Sequence, residues 1–461
     1  MNYNSLFFLC AFPVIFILYY VATSMLSTSV RTKTGNALLL LFSYAVLTFE
    51  NSLACIWLAY VTVVTFFGAK YVVRHRLPLF ATLMLAVLPL LVFKYYGFAC
   101  AILTDIGLPC SSHSLVVPIG ISFFTLQSIG YIIDVYRGKM QPETSLLDHS
   151  LFLGFFPQIV AGPINRYSKL MPQIKGNRVF NSQQSVEGLR MLLWGMFLKV
   201  VIADRLLLYV DNTVEHLAAA DGSALLSMAL FYSFQIYSDF AGYSLMAIGT
   251  AKILGFDLTD NFRRPYFSIS VTDFWHRWHI SLSSWLRDYV YISLGGNRCS
   301  RWRHYANIVL TFLVSGLWHG ANYTFLVWGL LHGVFQCIEK AAGLNNKVAS
   351  GKLLKALRIL VTFIIITLLW VVFRMPTLAD VCTVFGRIAT ITNFHLVMPE
   401  KYVLLLLSIA LLKDAVDEYR PQYDLFHHRS QWLRWATYVF VGMSIILFGV
   451  FDSGQFIYAK F

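Results

Sequence analysis

The chain has 461 residues, 57% of them hydrophobic and only 13% charged, with a mean hydropathy of +0.63. Soluble domains carry roughly a quarter charged residues, so this composition excludes an ordinary soluble domain and points to a polytopic membrane protein. The net charge of +13, from 36 Lys and Arg against 23 Asp and Glu, would raise nucleic-acid binding in a soluble chain. Here no basic stretch resembles a nucleic-acid motif, and the cations read as anchors that hold cytoplasmic loops inside.

A helical span needs about 20 apolar residues, so the apolar runs predict roughly eleven transmembrane helices. Re-entrant and interfacial helices complete an all-α, single membrane-embedded domain over residues 1–461. The first run, MNYNSLFFLCAFPVIFILYYVATSML, has no Lys or Arg before it and no clear cleavage site. A secretory signal normally has both, so this run reads as an uncleaved span with its N-terminus outside. Arg31 and Lys33 keep the next loop cytoplasmic, and the runs 35–48 and 52–69, joined by FENS, return to Lys70, Arg74 and Arg76. A span near 78–96 then exits to a loop around 97–114 without Lys or Arg. Cys100 and Cys110 could pair there if the loop is outside, which spacing alone does not decide. The other cysteines are scattered without a CxxC, as packing residues are, and offer no clustered metal donors. The run VVPIGISFFTLQSIGYIIDVY brings the chain back to Arg137 and Lys139.

LFLGFFPQIVAGPI (151–164) is shorter than a span and broken by Pro157, Gly162 and Pro163. That pattern predicts a re-entrant segment buried in protein, with Arg166, Lys169, Lys175 and Arg178 at its cytoplasmic end. The runs 187–210 and 224–250 form an outward and a returning crossing. From Leu254 to Arg303, Arg263, Arg264, Arg277, Arg287, Arg298, Arg301 and Arg303 interleave with Phe, Tyr and Trp. That is the pattern of amphipathic helices lying in the cytoplasmic interface. His319 lies 16 residues beyond Arg303. This is about 24 Å of helix at 1.5 Å per residue, well inside the bilayer. The runs 324–338, 357–373, 402–412 and 435–451 complete the crossings and leave the C-terminus outside. No internal repeat or low-complexity linker interrupts them.

Ionisable groups at membrane depth are costly and are functional candidates by default. His319, in WHG between Trp318 and Gly320 and with Asn322 three residues on, suits a general base, because imidazole accepts and returns a proton near neutral pH. The competing reading is a core histidine bonded to a neighbouring helix. Gly316 and Gly320 favour close approach of backbone or ligand. His332, on the next helix, reads as structural. His279 and His276 share a helix face, but no third ligand stands at metal-site spacing, so no metal is expected. Arg287 and Asp288 serve either a donor or a structural ion pair. Asp239 in its apolar run needs a partner, and an arginine near 263–287 is the expected one; Asp134 and Gln127 pose the same question. No nucleophile elbow, P-loop or GxGxxG is present.

Four stretches, FFPQIVAGPI, NFRRPYF, DFWHRWHISLSSWLRDYVYISLGGNR and SGLWHGANYTFLVWGLLHG, resemble the membrane-bound O-acyltransferases (MBOAT). The resemblance covers residues 118 to about 335 and the N-terminal run. LGGNR is similar to the bacterial branch that holds the alginate and peptidoglycan O-acetyltransferase membrane subunits; the teichoic acid D-alanyl transferases share the FW..RWH and WHG elements without GGNR. His276 departs from that branch, where Arg is more usual. The resemblance implies a helical fold around a tunnel, with the family's invariant histidine at His319 and a second, tunnel-side histidine at His279. It also implies an acyl-CoA donor such as acetyl-CoA, or another thioester, and an extracytoplasmic SGNH-type or acyl-relay partner serving a polysaccharide acceptor. Trp275, Arg277, Trp278, Arg287, Asp288, Trp318, Asn322 and Asp239 are the candidate donor-side residues. The arginine cluster would attract donor phosphates or serve only as positive-inside anchoring. The expected function is O-acetyl transfer in a bacterial inner membrane. D-alanyl transfer from a carrier protein, and a transporter with a histidine proton relay, are the alternatives.

Overall fold

The computed structural model describes residues 3, 5–73, 75–111, 115–344 and 351–451. The first and last residues, whose side of the membrane the sequence predicts, and Arg74 lie outside them. The described residues form helices and loops with no strand. They divide into two compact units: Met1–Leu189 with Ala247–Thr259, and Arg190–Met246 with Asp260 onward.

In the first unit α1 (Leu6–Ser24) starts at a Ser5 cap whose hydroxyl accepts from Phe8 N. The helix α2 (Thr28–Tyr71) is 44 residues long and breaks at Asn51, which has extended torsions. At 1.5 Å per residue it is about 66 Å, twice the thickness of a hydrocarbon core, which is long enough for two crossings. The FENS junction is therefore a kink rather than a loop. The Asn51 side chain accepts from Ala54 N at 3.0 Å and restarts the helix. Next, α3 (Arg76–Leu90) continues through a π-helical turn, Leu91–Tyr95, into α4 (Tyr96–Asp105). The expected exit at residue 97 is overturned: the helix runs on to Asp105. Cys100 on α4 is disulfide-bonded to Cys110 in the loop beyond it.

After α5 (Ile121–Tyr136), the 151–164 segment is a broken, buried structure. The helix α6 (Leu146–Gly154) stops at Phe155, and α7 (Phe156–Ile159) restarts with Pro157 in its first turn. Gln158 donates to the Phe152 carbonyl, and Asn165 donates to Gln158 Oε1 at 3.2 Å. The Phe152 carbonyl at the helix break is thus satisfied inside protein, as burial demands. The helix α8 (Tyr167–Lys175) follows.

Glu143, in the loop before α6, is 4% exposed. It accepts from Tyr167 Oη, from Ser145 N and Thr144 N, and pairs with Lys175 at 2.7 Å. Burial alone would raise its carboxyl, but Lys175, Tyr167 and the two amides outweigh that and hold it down at about 2, against an ordinary 4.5. The folded value lies below the unfolded one, so this stabilisation is complete above about pH 4.5 and fades as pH falls toward 2. Glu143→Gln is expected to lower the thermal midpoint at pH 7, with the deficit shrinking toward pH 3. A deficit independent of pH would mean that Glu143 acts by shape alone.

In the second unit α9 (Ser182–Met196, beginning in the first unit) passes through a π-helical stretch, Phe197–Ala203, into α10 (Asp204–Glu215). It packs on α11 (Gly222–Ile253). Added Cβ atoms at Gly195 and Gly242 would sit 2.6 Å and 2.7 Å from the partner glycine's carbonyl, so the two backbones touch where a side chain cannot fit. Short helices follow, α12 (Val271–Arg277) and α13 (Ile280–Leu286). Then come α14 (Arg301–His319), α15 (Tyr323–Ala341), α16 (Lys352–Arg374), α17 (Leu378–Ala389), α18 (Lys401–Tyr419) and α19 (Gln431–Phe448). Among the described residues four helices are long and apolar enough to cross a membrane: Phe7–Ser24, Thr28–Tyr71, Arg76–Asp105 and Lys352–Arg374. Others are long but carry buried polar groups, as α11 does with Gln235 and Asp239.

Candidate functional site

The site is assembled in the second unit around the break between α12 and α13. Ser270 caps α12 by accepting from Asp273 N at 2.9 Å, and the Asp273 carboxylate accepts from Ile269 N just before the cap. Glu339 of α15 accepts from Val271 N and from Thr272 N, meeting the positive end of α12 with a carboxylate. Trp278 ends that helix, fully buried, stacked on Phe274 and edge-on to Phe262.

His279 follows in the left-handed region, φ 43°, which costs a non-glycine residue energy and persists only where the surroundings impose it. Asn261 imposes it. The Asn261 carbonyl accepts from Ile280 N at 2.9 Å. Its side-chain oxygen accepts from Ser281 Oγ at 2.7 Å and lies 3.2 Å from His279 Nδ1, and its amide nitrogen donates to Ser244. An oxygen that only accepts requires Nδ1 to carry the proton, so Nε2 carries the lone pair. The Phe240 edge closes one side of the ring at 4.6 Å.

His319 is the last residue of α14, 2% exposed. The α14–α15 hairpin holds it by glycine contacts. A Cβ at Gly316 would lie 2.2 Å from the Phe325 carbonyl, and one at Gly320 would enter the Phe325 ring. The close approach expected at these glycines is therefore between helices. The His319 ring packs against Trp318 (4.9 Å), Trp328 (5.1 Å) and Phe373 (5.4 Å). Trp318 in turn lies 5.8 Å from His279. Both histidines thus contact one indole, in a buried aromatic wall continued by Trp370 against Trp278. An imidazole with a defined tautomer in such surroundings can take a proton and return it.

The remaining candidates fall into separate groups. Trp275 donates to His332 Nδ1 at 3.1 Å, which makes His332 part of the packing behind Trp328. Arg277 is held by Asp273 (3.1 Å) and Glu418 (3.0 Å). Arg287 pairs with Asp288 at the surface, 2.9 Å. Asn322 caps α15 through Thr324 N and donates to the Pro376 carbonyl. Asp239 corrects the sequence expectation: its partner is Lys199, 2.7 Å away, which also pairs with Asp204 at 2.8 Å. The glycine contact between α9 and α11 brings that lysine to the aspartate, so no arginine from 263–287 is needed. Asp134 pairs with Lys139. Sequence reasoning missed Asn261, Glu339 and Lys199. Asn261 could have been found as the polar residue just before the Arg263–Arg264 pair; the other two give no local signal.

Beside the site, Trp275, His276, Ser283, Arg287, His304 and Lys340 line part of a cleft of about 410 Å³. The Lys340 ammonium, which can only donate, reaches His304 Nε2 at 3.0 Å, and Tyr291 reaches the same nitrogen at 2.8 Å.

The chain is an all-helical multi-pass membrane protein. The family model for MBOAT, the membrane-bound O-acyltransferases, matches residues 142–376, half of the sequence, and the chain belongs to this family. It is 44% identical to a probable alginate O-acetylase AlgI of Pseudomonas aeruginosa over 291 residues, 62% of this chain and 55% of that protein. It is 38% identical to a peptidoglycan O-acetyltransferase of Helicobacter pylori over 316 residues, 62% of this chain and 59% of that protein. Identity to a teichoic acid D-alanyltransferase of Bacillus subtilis is 29% over 271 residues, 54% of this chain and 67% of that protein. The matches span between about half and two thirds of the alginate relatives' length.

Proposed function

We propose that the chain is a membrane O-acetyltransferase of the bacterial inner membrane, acting for O-acetylation of an extracytoplasmic polysaccharide. The observation that carries this reading is the buried pair His279 and His319, both in contact with Trp318, inside a chain of the acyltransferase family. Identities of 44% and 38% to alginate and peptidoglycan acetylating proteins, against 29% to a D-alanyltransferase, favour acetyl over D-alanyl transfer.

In this reading about eleven spans form one domain around a tunnel, with both termini extracytoplasmic. The Cys100–Cys110 disulfide supports an outer position for the loop after α4, since disulfides persist in oxidising compartments. Acetyl-CoA approaches from the cytoplasm, and the cationic side chains of the 410 Å³ cleft, Arg287 and Lys340, attract its phosphates. The acceptor hydroxyl gives its proton to His319 as its oxygen attacks the thioester carbonyl. The C–S bond then breaks and the proton passes to the departing thiolate, leaving an ester and free coenzyme A. His279, its tautomer fixed by Asn261, orients the donor or stabilises developing charge. The hydroxyl belongs to the glycan or to an SGNH-type or other acyl-relay partner.

The test is release of coenzyme A, and label transfer to an acceptor, by the purified full-length chain given labelled acetyl-CoA. D-alanyl-carrier thioester serves as the second donor, and proton flux in sealed vesicles tests transport. Turnover of the carrier thioester alone, or flux without turnover, would overturn the reading. Within it, Asn261→Leu frees the His279 ring and is expected to lower kcat about 10- to 100-fold, the scale of a misplaced reacting group. A change in KM with kcat intact would assign Asn261 to binding instead.

A further inference from the structure

In the second unit a groove of about 810 Å³ runs between α16 and α18, within the usual ligand-pocket range of about 300–1,000 Å³. Its walls are apolar and aromatic: Phe234, Tyr266, Ile359, Phe363, Leu411 and Tyr419. The Phe363 ring packs on Tyr266 (5.2 Å) and Phe234 (5.6 Å) to form a continuous floor.

Two cations, Lys352 and Lys355, also line this groove, and both sit in the first turn of α16. That is the positive end of a 23-residue helix with no acidic residue in its first turn and no side-chain cap, where added cations are disfavoured unless an anion joins them. Among the described residues no carboxylate pairs with them, and Glu418, beside Tyr419, is taken by Arg264 and Arg277. Lys355 lies over the Tyr419 ring at 4.9 Å, which fixes its ammonium at the groove's wall. An apolar trough ending in two unneutralised lysines at a helix N-terminus complements one ligand form: a long hydrocarbon chain bearing a phosphate.

We infer that this groove binds an anionic phospholipid, one acyl chain lying along Phe363, Ile359 and Leu411 and the phosphate held by Lys352, Lys355 and the first amides of α16. Anionic headgroups are attracted to basic residues beside a membrane helix, and the groove adds a shaped seat for the chain. The inference is independent of the acyl-transfer reading.

The experiment is native mass spectrometry of the purified full-length chain in detergent, with phosphatidylglycerol, phosphatidylcholine and inorganic phosphate as separate probes. Phosphatidylglycerol is expected to bind at least tenfold more tightly than phosphatidylcholine, and Lys352→Gln with Lys355→Gln is expected to erase the difference. Ala356→Trp leaves both lysines in place and fills the groove, so it is expected to reduce retention of phosphatidylglycerol. Ala356 and Lys352 are exposed, and each variant is read on chains that elute as the parent does. Equal retention of the two lipids by the parent overturns the inference, as does a preference that survives the double lysine change. Inorganic phosphate competing as well as the lipid does so too, because the site would then hold a free anion.

Discussion

Replacing His319 by alanine is expected to lower acetyl transfer by about 100-fold or more, the lower end of what a positioned general base supplies. The ring it removes is buried among Trp318, Trp328 and Phe373, so lost packing must be separated from lost chemistry. His332→Ala is the control. That histidine is equally buried, touches the same Trp328 ring and bonds to Trp275, yet has no assigned part in proton transfer. The measurement is release of coenzyme A from labelled acetyl-CoA by both variants, each checked by thermal unfolding. Catalysis by His319 predicts a folded variant with little turnover, while His332→Ala loses stability and keeps most of its kcat. Equal losses of stability and turnover in the two variants would place His319 in the aromatic wall as packing.

The fold was legible where the information is local. Apolar runs marked most of the helices, and Pro157, Gly162 and Pro163 marked the broken segment that is found buried at α6 and α7. The FENS tetrapeptide marked a break, although Asn51 turns out to kink one helix instead of ending it. The histidine pair stood out because an ionisable group in an apolar run needs a reason to be there. What sequence could not supply was the partner of each polar group. Lys199 sits in FLKVVIAD and reads as one tolerated cation in an apolar run; its two aspartates come from positions 5 and 40 residues further on. Glu339 caps a helix that begins 68 residues earlier. The extension of α3 through a π-helical turn to Asp105 was hidden because Gly97 and the stretch without Lys or Arg that follows look like a loop, although FACAIL within it is apolar. The left-handed torsion of His279 is likewise a consequence of Asn261 bonding to His279, Ile280 and Ser281.

The largest stability effect is expected at that missed lysine. Lys199, Asp204 and Asp239 are 4%, 0% and 2% exposed, and a single ammonium serves both carboxylates. Removing one member of a buried ion group typically costs about 3–5 kcal/mol, because the remaining charge is left without compensation. Lys199→Met leaves two carboxylates facing each other, and so should reach the upper part of that range. The triple variant Lys199→Met, Asp204→Asn, Asp239→Asn removes all three charges and keeps the volumes similar, and it is expected to recover most of the loss. Denaturant or thermal unfolding of the purified chain in one detergent compares the three proteins. If Lys199→Met unfolds with the parent, the triad contributes no net stability. If the triple variant is as weak as the single one, shape rather than charge is what Lys199 provides. The site should report the same event, because Phe240, next to Asp239, is the ring that packs edge-on against His279. A shift of α11 that follows loss of the lysine moves that edge, so turnover is expected to fall with stability in Lys199→Met and to return with it in the triple variant.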